Sequence, residues 1–172
     1  MPLEDKVAAA KKIDGLLKNL LAAGGFRLKY RIMVDPPLEE DRDWERPQIL
    51  VDFSGPDGEL LLERGAELLR SLEHVAQKML RLESEDHDKV VFDCMSFRAM
   101  RLEELRLAAQ VAAERVLKTG MPYEFGPMTA RERRIVHLAL RDHAELTTES
   151  RGEGPRRCVV VLPKKAPASG KR

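Results

Sequence analysis

The sequence has few of the residues that mark several large classes of protein. Its 172 residues include two cysteines and one tryptophan, and only 5% are aromatic. Cys94 and Cys158 lie far apart, so they provide neither a disulfide framework nor a metal-binding spacing, as is usual in a reducing cytoplasm. No uncharged apolar run approaches the ~20 residues of a membrane-spanning helix, and the N-terminal segment lacks the pattern of a secretory signal. We therefore expect a cytoplasmic protein whose core consists of aliphatic side chains.

Motifs for enzymatic chemistry are also missing. The sequence has no Gly-x-x-x-x-Gly-Lys-Ser/Thr loop, which excludes a P-loop for nucleotide phosphates. His137 and His143 are six residues apart, so on a helix they point to different faces and make poor metal partners. Cys94 follows an apolar strand and has no histidine tied to it by a motif, so we expect a buried thiol. We therefore predict a protein that is not an enzyme and needs neither a cofactor nor a metal ion.

What the sequence does contain is enough apolar residues for a core and an uneven distribution of charge. Hydrophobic residues make up 43% and charged residues 34%, as in a folded domain. The net charge is +1, but residues 121–172 hold 11 Lys and Arg against 6 Asp and Glu, and residues 1–120 hold 19 against 23. Such a basic segment indicates either a surface for a polyanion or a tail that aids solubility, and charge alone leaves both open.

Helical and strand periodicities alternate along the chain, which predicts an α+β fold. Apolar residues at steps of three and four indicate helices, and alternating or short apolar runs indicate strands. In chain order the predicted elements are a helix over 5–22, strands over 26–34 and 49–53, a helix after Gly65, a strand over 90–92, a helix over 97–118 and a β-hairpin over 146–150 and 158–162.

The helix before this hairpin is the most informative element. Thr129 and Glu132 have the spacing of a capping box, so the helix is predicted to begin at Ala130 and to run to about Asp142. Within residues 133–141, at about 100° per residue, the cationic residues share one arc and the aliphatic residues fill the remainder. Measured from Arg133, this arc contains His137 at about 40°, Arg141 at about 80° and Arg134 at about 100°. Charges return to the aliphatic side only at the ends of the helix, at Arg131, Glu132 and Asp142.

The aliphatic side must pack, so the cationic arc is expected to face water on a rigid element. Guanidinium groups can fork to phosphate oxygens or stack on bases, and imidazole can hydrogen-bond or stack. The other interpretation is an ordinary charged helix face, although such faces are usually mixed in sign. Further basic residues lie nearby in the sequence at Arg151, Arg156, Arg157, Lys164 and Lys165.

Residues 51–75 resemble the nucleic-acid-binding KH domain, with an apolar strand, a turn, three leucines and a loop that opens a helix. In that fold a Gly-x-x-Gly loop lets the backbone approach about four nucleotides. Here the loop is Glu63-Arg64-Gly65-Ala66, so other residues occupy both glycine positions and one of them is negatively charged. The domain can therefore be an imperfect RNA clamp, or a scaffold that contacts another protein.

These residues and the junction at Asp93, Phe97-Arg98 and Arg101 are similar to the KH domain of the bacterial Jag family, also called KhpB, EloR or SpoIIIJ-associated proteins. Residues 132–140 and 148–157 are similar to the R-three-H domain of the same family. That domain is named for an arginine and a histidine separated by three residues, which are Arg133 and His137 here. The resemblance covers roughly residues 5–162.

The resemblance implies a KH-like domain (α-β-β-α-α-β) over residues 1–94. It also implies an R-three-H domain with its leading helix over 95–163, and we expect residues 164–172 to be a disordered basic tail. The implied function is RNA-level regulation of cell elongation and envelope synthesis in the cytoplasm, often with a small single-KH protein as partner. Family members often carry a Jag-N domain and a linker, which we do not find here, so we carry over no function of that domain.

Together these observations predict a protein that binds single-stranded RNA or DNA by charge neutralisation and stacking. The alternative is an interaction adaptor whose degenerate KH domain forms a homodimer or pairs with a small KH protein. The predicted nucleic-acid-binding residues are Arg133, His137, Arg134, Arg141, Arg157 and Arg64.

Overall fold

The computed structural model describes residues 5–37 and 46–164 and confirms the α+β class. Its contacts divide the chain into a first unit, Met1–Arg98, and a second unit, Ala99–Arg172. The helices in the described residues are α1 (Lys6–Gly24), α2 (Gly58–Met79), α3 (Phe97–Thr119) and α4 (Ala130–Ala139), with short 3-10 helices at Ser84–Lys89 and Gly154–Arg156. The strands are β1 (Lys29–Val34), β2 (Ile49–Ser54), β3 (Val90–Cys94), β4 (Tyr123–Glu124), β5 (Leu146–Arg151) and β6 (Cys158–Pro163).

The first unit is built on a three-stranded sheet with the order β1-β2-β3. Strand β2 runs antiparallel to β1 and parallel to β3. Phe53, which is buried on the middle strand β2, contacts the rings of Tyr30 and Phe92 at centroid distances of 6.0 and 5.6 Å. Helices α1 and α2 complete this core with buried side chains that include Ile13, Leu17, Leu61 and Leu69.

Helix α2 is interrupted in its middle by a segment that we call the left-handed loop, residues Glu63–Ala66. Arg64, Gly65 and Ala66 have φ angles of 51°, 69° and 64°, a conformation that glycine adopts freely and other residues rarely adopt. The break predicted at this point is confirmed. Arg64 is exposed, whereas Ala66 is fully buried in the core of the first unit.

The second unit contains α3, α4 and an antiparallel sheet with the order β4-β6-β5. The hairpin predicted over 146–150 and 158–162 is confirmed as β5 and β6. Strand β4 was not predicted. Its pairing continues past Glu124, because the N–H of Phe125 donates to the carbonyl of Val159 at 2.9 Å and the N–H of Met128 to that of Arg157 at 3.0 Å.

Several predicted boundaries differ from the observed ones. The strand predicted from residue 26 begins at Lys29, because Gly25 is left-handed and the N–H of Phe26 donates to Leu21 at the end of α1. Helix α4 was predicted to reach about Asp142 but ends at Ala139. The acidic segment 38–45 and the basic tail from residue 165 onward lie outside the described residues.

Candidate nucleic-acid interface

The start of α4 is fixed by the predicted capping box. The hydroxyl of Thr129 accepts a hydrogen bond from the N–H of Glu132 at 3.2 Å, and a Glu132 carboxylate oxygen accepts from the N–H of Thr129 at 2.8 Å. These two bonds satisfy backbone donors that a helix start otherwise leaves open. The first turn of α4 therefore has a defined position, and Arg133 follows it directly.

Glu132 also ties α4 to α3 within the second unit. Its second carboxylate oxygen lies 2.7 Å from Nε of Arg101, and both side chains are largely shielded from water. Burial by itself would raise the pKa of the Glu132 carboxyl, but the N–H of Thr129 and the Arg101 guanidinium outweigh it and lower that pKa. The carboxylate therefore stays ionised and holds both partners.

Arg133 is half-buried beside the chain segment that precedes α4. Its Nη1 atom donates to the carbonyl of Met128 at 3.0 Å, and the Met128 N–H in turn donates to the carbonyl of Arg157. A guanidinium has five N–H donors, so this bond orients the group and leaves donors for a ligand. The guanidinium of Arg133 is thus held in place close to the hairpin.

His137, one turn further along α4, is held by the first strand of the hairpin. Its Nδ1 atom lies 2.7 Å from the hydroxyl oxygen of Thr148, and its Nε2 atom lies 3.0 Å from that of Ser150. The prediction that His137 faces water is therefore wrong, because β5 covers this side of the helix and leaves the ring only half-exposed. Thr148 and Ser150 were missed, although their spacing of two on a strand places them on one face.

The other predicted residues of the second unit are exposed. Arg134 lies on the outer side of α4, and Arg157 stands at the start of β6. The prediction that Arg141 shares the helical arc is wrong, because it follows the last helical turn, with Nε 3.4 Å from a carboxylate oxygen of Asp142. The second unit thus brings Arg133 and His137 together as helix neighbours and exposes the other three arginines.

The surroundings of His137 predict a pH dependence of stability. Burial lowers the pKa of the imidazole, and the positive charge of Arg133 lowers it further. Because the unfolded chain then binds the proton more readily, the stability associated with the neutral ring is fully present above the unfolded pKa of about 6.5. It is lost as the pH falls below that value and through the lower pKa of the folded protein.

We therefore expect acidification from about pH 7.5 to about pH 5.5 to lower the urea midpoint less in a His137→Gln variant than in the parent protein. His143→Gln, which removes an exposed imidazole from the same unit, is the matched control. An equal response to the two substitutions would contradict the assignment.

Arg64 belongs to the first unit, where it is exposed in the left-handed loop. A second arginine there was missed by the sequence analysis. The Nη2 atom of Arg70 lies 3.8 Å from the position where a side chain at Gly65 would begin, so this guanidinium lies beside the loop. The spacing in the sequence could have indicated this arginine, because Arg70 follows the left-handed loop by one helical turn.

Over residues 5–37 and 46–164, no group of three or more His, Cys, Asp or Glu residues is placed to hold a metal ion. In the same part of the chain no helix is both long and apolar enough to cross a membrane. Cys94 is buried, as predicted, and burial raises the pKa of its thiol.

Comparison with known proteins agrees with this geometry. Residues 103–163 match the family model of the R-three-H domain, and this range spans most of α3, all of α4 and the hairpin. The second unit therefore contains an R-three-H domain.

Similar proteins extend the match into the first unit. The RNA-binding protein KhpB of Clostridium symbiosum is 32% identical over 111 residues, which cover 64% of this chain and 50% of the relative. The protein of the same name from Bacillus subtilis is 32% identical over 115 residues, which cover 55% of that relative. The one from Lactiplantibacillus plantarum is 29% identical over 125 residues, which cover 39% of it. The chain thus spans about half the length, or less, of these curated relatives. The chain is thus similar to several KhpB proteins, and the resemblance to the Jag family found in the sequence is confirmed.

Proposed function

We propose that this protein binds single-stranded RNA through the face formed by α4 and the β5–β6 hairpin. The observation that carries the proposal is that Arg133 and His137 are fixed next to each other by hydrogen bonds to Met128, Thr148 and Ser150. A guanidinium and an imidazole fixed in this way can bind phosphates without first ordering their side chains. The name that the relatives share, RNA-binding protein KhpB, supports RNA as the ligand.

In this proposal Arg134, Arg141 and Arg157 supply charge around the central pair. Their exposed guanidinium groups neutralise phosphates and stack on bases, so the interface has little base-edge readout. Single-stranded DNA binds to the same groups but lacks the 2′-hydroxyl.

Direct binding tests the proposal. The change in fluorescence anisotropy of a labelled oligouridylate on titration with the full chain reports affinity, and repeating it over a series of salt concentrations reports charge. If about four phosphates are neutralised, log K falls with log salt at a slope of roughly −3 for a single strand. An oligoribonucleotide that does not bind even at low salt would contradict the proposed function.

We further propose that the first unit is a KH-like domain whose left-handed loop adds contacts to the RNA backbone. The support is the position of the break in α2 and the basic side chains beside it, the exposed Arg64 and Arg70. In this view residues 1–94 form the KH-like domain and residues 95–163 the R-three-H domain with its leading helix. The regulatory role implied by the resemblance, in cell elongation and envelope synthesis, is exerted on RNA in the cytoplasm.

A second candidate function is that of an interaction adaptor. It is favoured by Glu63, which brings a negative charge to the loop, and by Ala66, whose methyl group is packed in the core where the KH pattern has glycine. The domain would then form a homodimer or pair with a small KH protein. The mass of the complex in size-exclusion chromatography, with and without RNA, separates the two functions. A Glu63→Gly/Ala66→Gly variant with higher RNA affinity would indicate a clamp that has been lost.

A further inference from the structure

Both ring nitrogens of His137 are hydrogen-bonded to hydroxyls of one strand. Thr148 and Ser150 are two residues apart on β5, so they share a face, and their oxygens lie 2.7 and 3.0 Å from Nδ1 and Nε2. Neither hydroxyl residue is fully buried. Each hydroxyl can therefore contact the ring on one side and a ligand on the other.

The direction of the hydroxyl protons depends on the protonation state of the ring. A neutral imidazole has one N–H donor and one acceptor nitrogen, so one of the two hydroxyls must donate its proton to the ring. A protonated imidazole has two N–H donors, so both hydroxyls accept from it. Both O–H groups of Thr148 and Ser150 are then free to donate outward.

A phosphodiester offers only acceptor oxygens, so it discriminates between these two states. It can accept from both hydroxyls only when the ring is protonated, and it then also gains the positive charge of the imidazolium. The charged group of α4 that faces His137 is Arg133, which is cationic and attracts the same phosphate. On β5 the exposed side chains of Glu149 and Arg151 form an ion pair, in which Nη2 of Arg151 lies 3.0 Å from Oε2 of Glu149. The β6 residues opposite Thr148 and Ser150 are the uncharged Val161 and Val159.

We propose that His137, Thr148 and Ser150 form a phosphate-binding site in which His137 takes up a proton when single-stranded RNA binds. The inference rests on the proposed function and names the ligand group and the protonation state at that site. In the free protein burial and Arg133 lower the pKa of His137 and so favour the neutral ring, whereas a bound phosphate favours the protonated one. RNA affinity is therefore linked to pH.

The test is the affinity for an oligouridylate without terminal phosphates that carries a rhodamine label, whose charge does not change in this range, measured at constant ionic strength from about pH 8 to about pH 6. Uracil and phosphodiesters do not titrate in this window. We expect the affinity of the parent protein to rise several-fold on acidification, with an upper limit of about tenfold per pH unit for one proton. His137→Gln is expected to bind more weakly with a flatter profile, and His143→Gln to keep the parent rise. Equal rises in the parent and in His137→Gln would overturn the proposal.

Substitution of the hydroxyls tests their part in the site. Thr148→Val and Ser150→Ala are each expected to weaken binding at about pH 6 by roughly three- to tenfold and to flatten the pH profile. Thr148→Ser and Ser150→Thr keep the hydroxyls and are expected to keep both affinity and profile. Folding of each variant is checked by its thermal melt, and if the valine variant unfolds, Ser150→Ala decides.

The two proposals fail in different ways. If the parent protein does not bind the oligouridylate at any pH, the proposed function is wrong. If the parent binds but a folded Ser150→Ala variant has the parent pH profile, RNA binding stands and the phosphate site is wrong.

Discussion

Replacing Glu132 by alanine is expected to lower the free energy of unfolding by about 2–3 kcal/mol, the largest effect on stability that we predict at the interface. The substitution removes the hydrogen bond to the N–H of Thr129, which closes the capping box, and the bond to Arg101. The Arg101 guanidinium, which is partly buried, keeps its contact with Glu104 but loses the buried carboxylate. Loss of a cap typically costs about 1 kcal/mol, and a hydrogen bond to a charged group contributes about 1.5–3 kcal/mol.

Urea titrations followed by circular dichroism measure this loss, and amide hydrogen exchange locates it in α4. The matched control is Glu103→Ala, which removes an exposed carboxylate from α3 that pairs with Arg106. Because exposed ion pairs contribute little, we expect this control to lose at most about 0.5 kcal/mol. Similar losses in both variants would mean that Glu132 has no special part in positioning α4.

Replacing Arg133 and His137 together by alanine is expected to weaken binding of single-stranded RNA by roughly 10- to 100-fold. The double variant loses a guanidinium that is already oriented by Met128 and the imidazole that β5 holds in place. Each lost phosphate contact also reduces the magnitude of the salt slope by roughly 0.7 on a single strand. Anisotropy titrations of the same labelled oligouridylate at several salt concentrations measure both quantities.

A double variant of α1, Lys11→Ala/Lys12→Ala, is the control for the loss of charge alone. Both lysines are exposed, so their removal changes the net charge at least as much as the Arg133 and His137 substitutions do. We expect this control to bind the oligouridylate within about twofold of the parent protein, because neither lysine belongs to the proposed RNA-binding face and exposed charges are screened at physiological salt. The central role given to Arg133 and His137 is wrong if the two double variants bind equally well.

The parts of the fold that sequence patterns predicted are those whose signals are local. The capping box is a spacing of three between Thr129 and Glu132, and the hairpin is two short segments that flank a glycine-rich turn, so both could be found without knowing the tertiary structure. The pair Tyr123–Glu124 is too short to show a periodicity. It is a strand only because β6, more than thirty residues later, pairs with it.

The surroundings of His137 could not be predicted for a related reason. A helical wheel separates aliphatic from cationic residues, but it does not show which polar side chains another element covers. Strand β5 brings hydroxyls to the imidazole, and a polar residue can be buried when its partners are polar too.

In the first unit the break at the left-handed loop was foreseen from its charge and glycine. The left-handed backbone angles of Arg64 and Ala66 could not be foreseen, because L-amino acids seldom adopt them.

The pairing of the chain before α4 with β6 has a consequence for how the interface binds. The N–H groups of Phe125 and Met128 donate to β6, so the backbone is ordered from β4 through the first turn of α4. The conformational entropy of this segment is lost when the protein folds and not when a ligand arrives. In the proposed function, an RNA strand therefore meets a backbone segment that is already ordered, so none of the energy of its contacts is spent on ordering that segment.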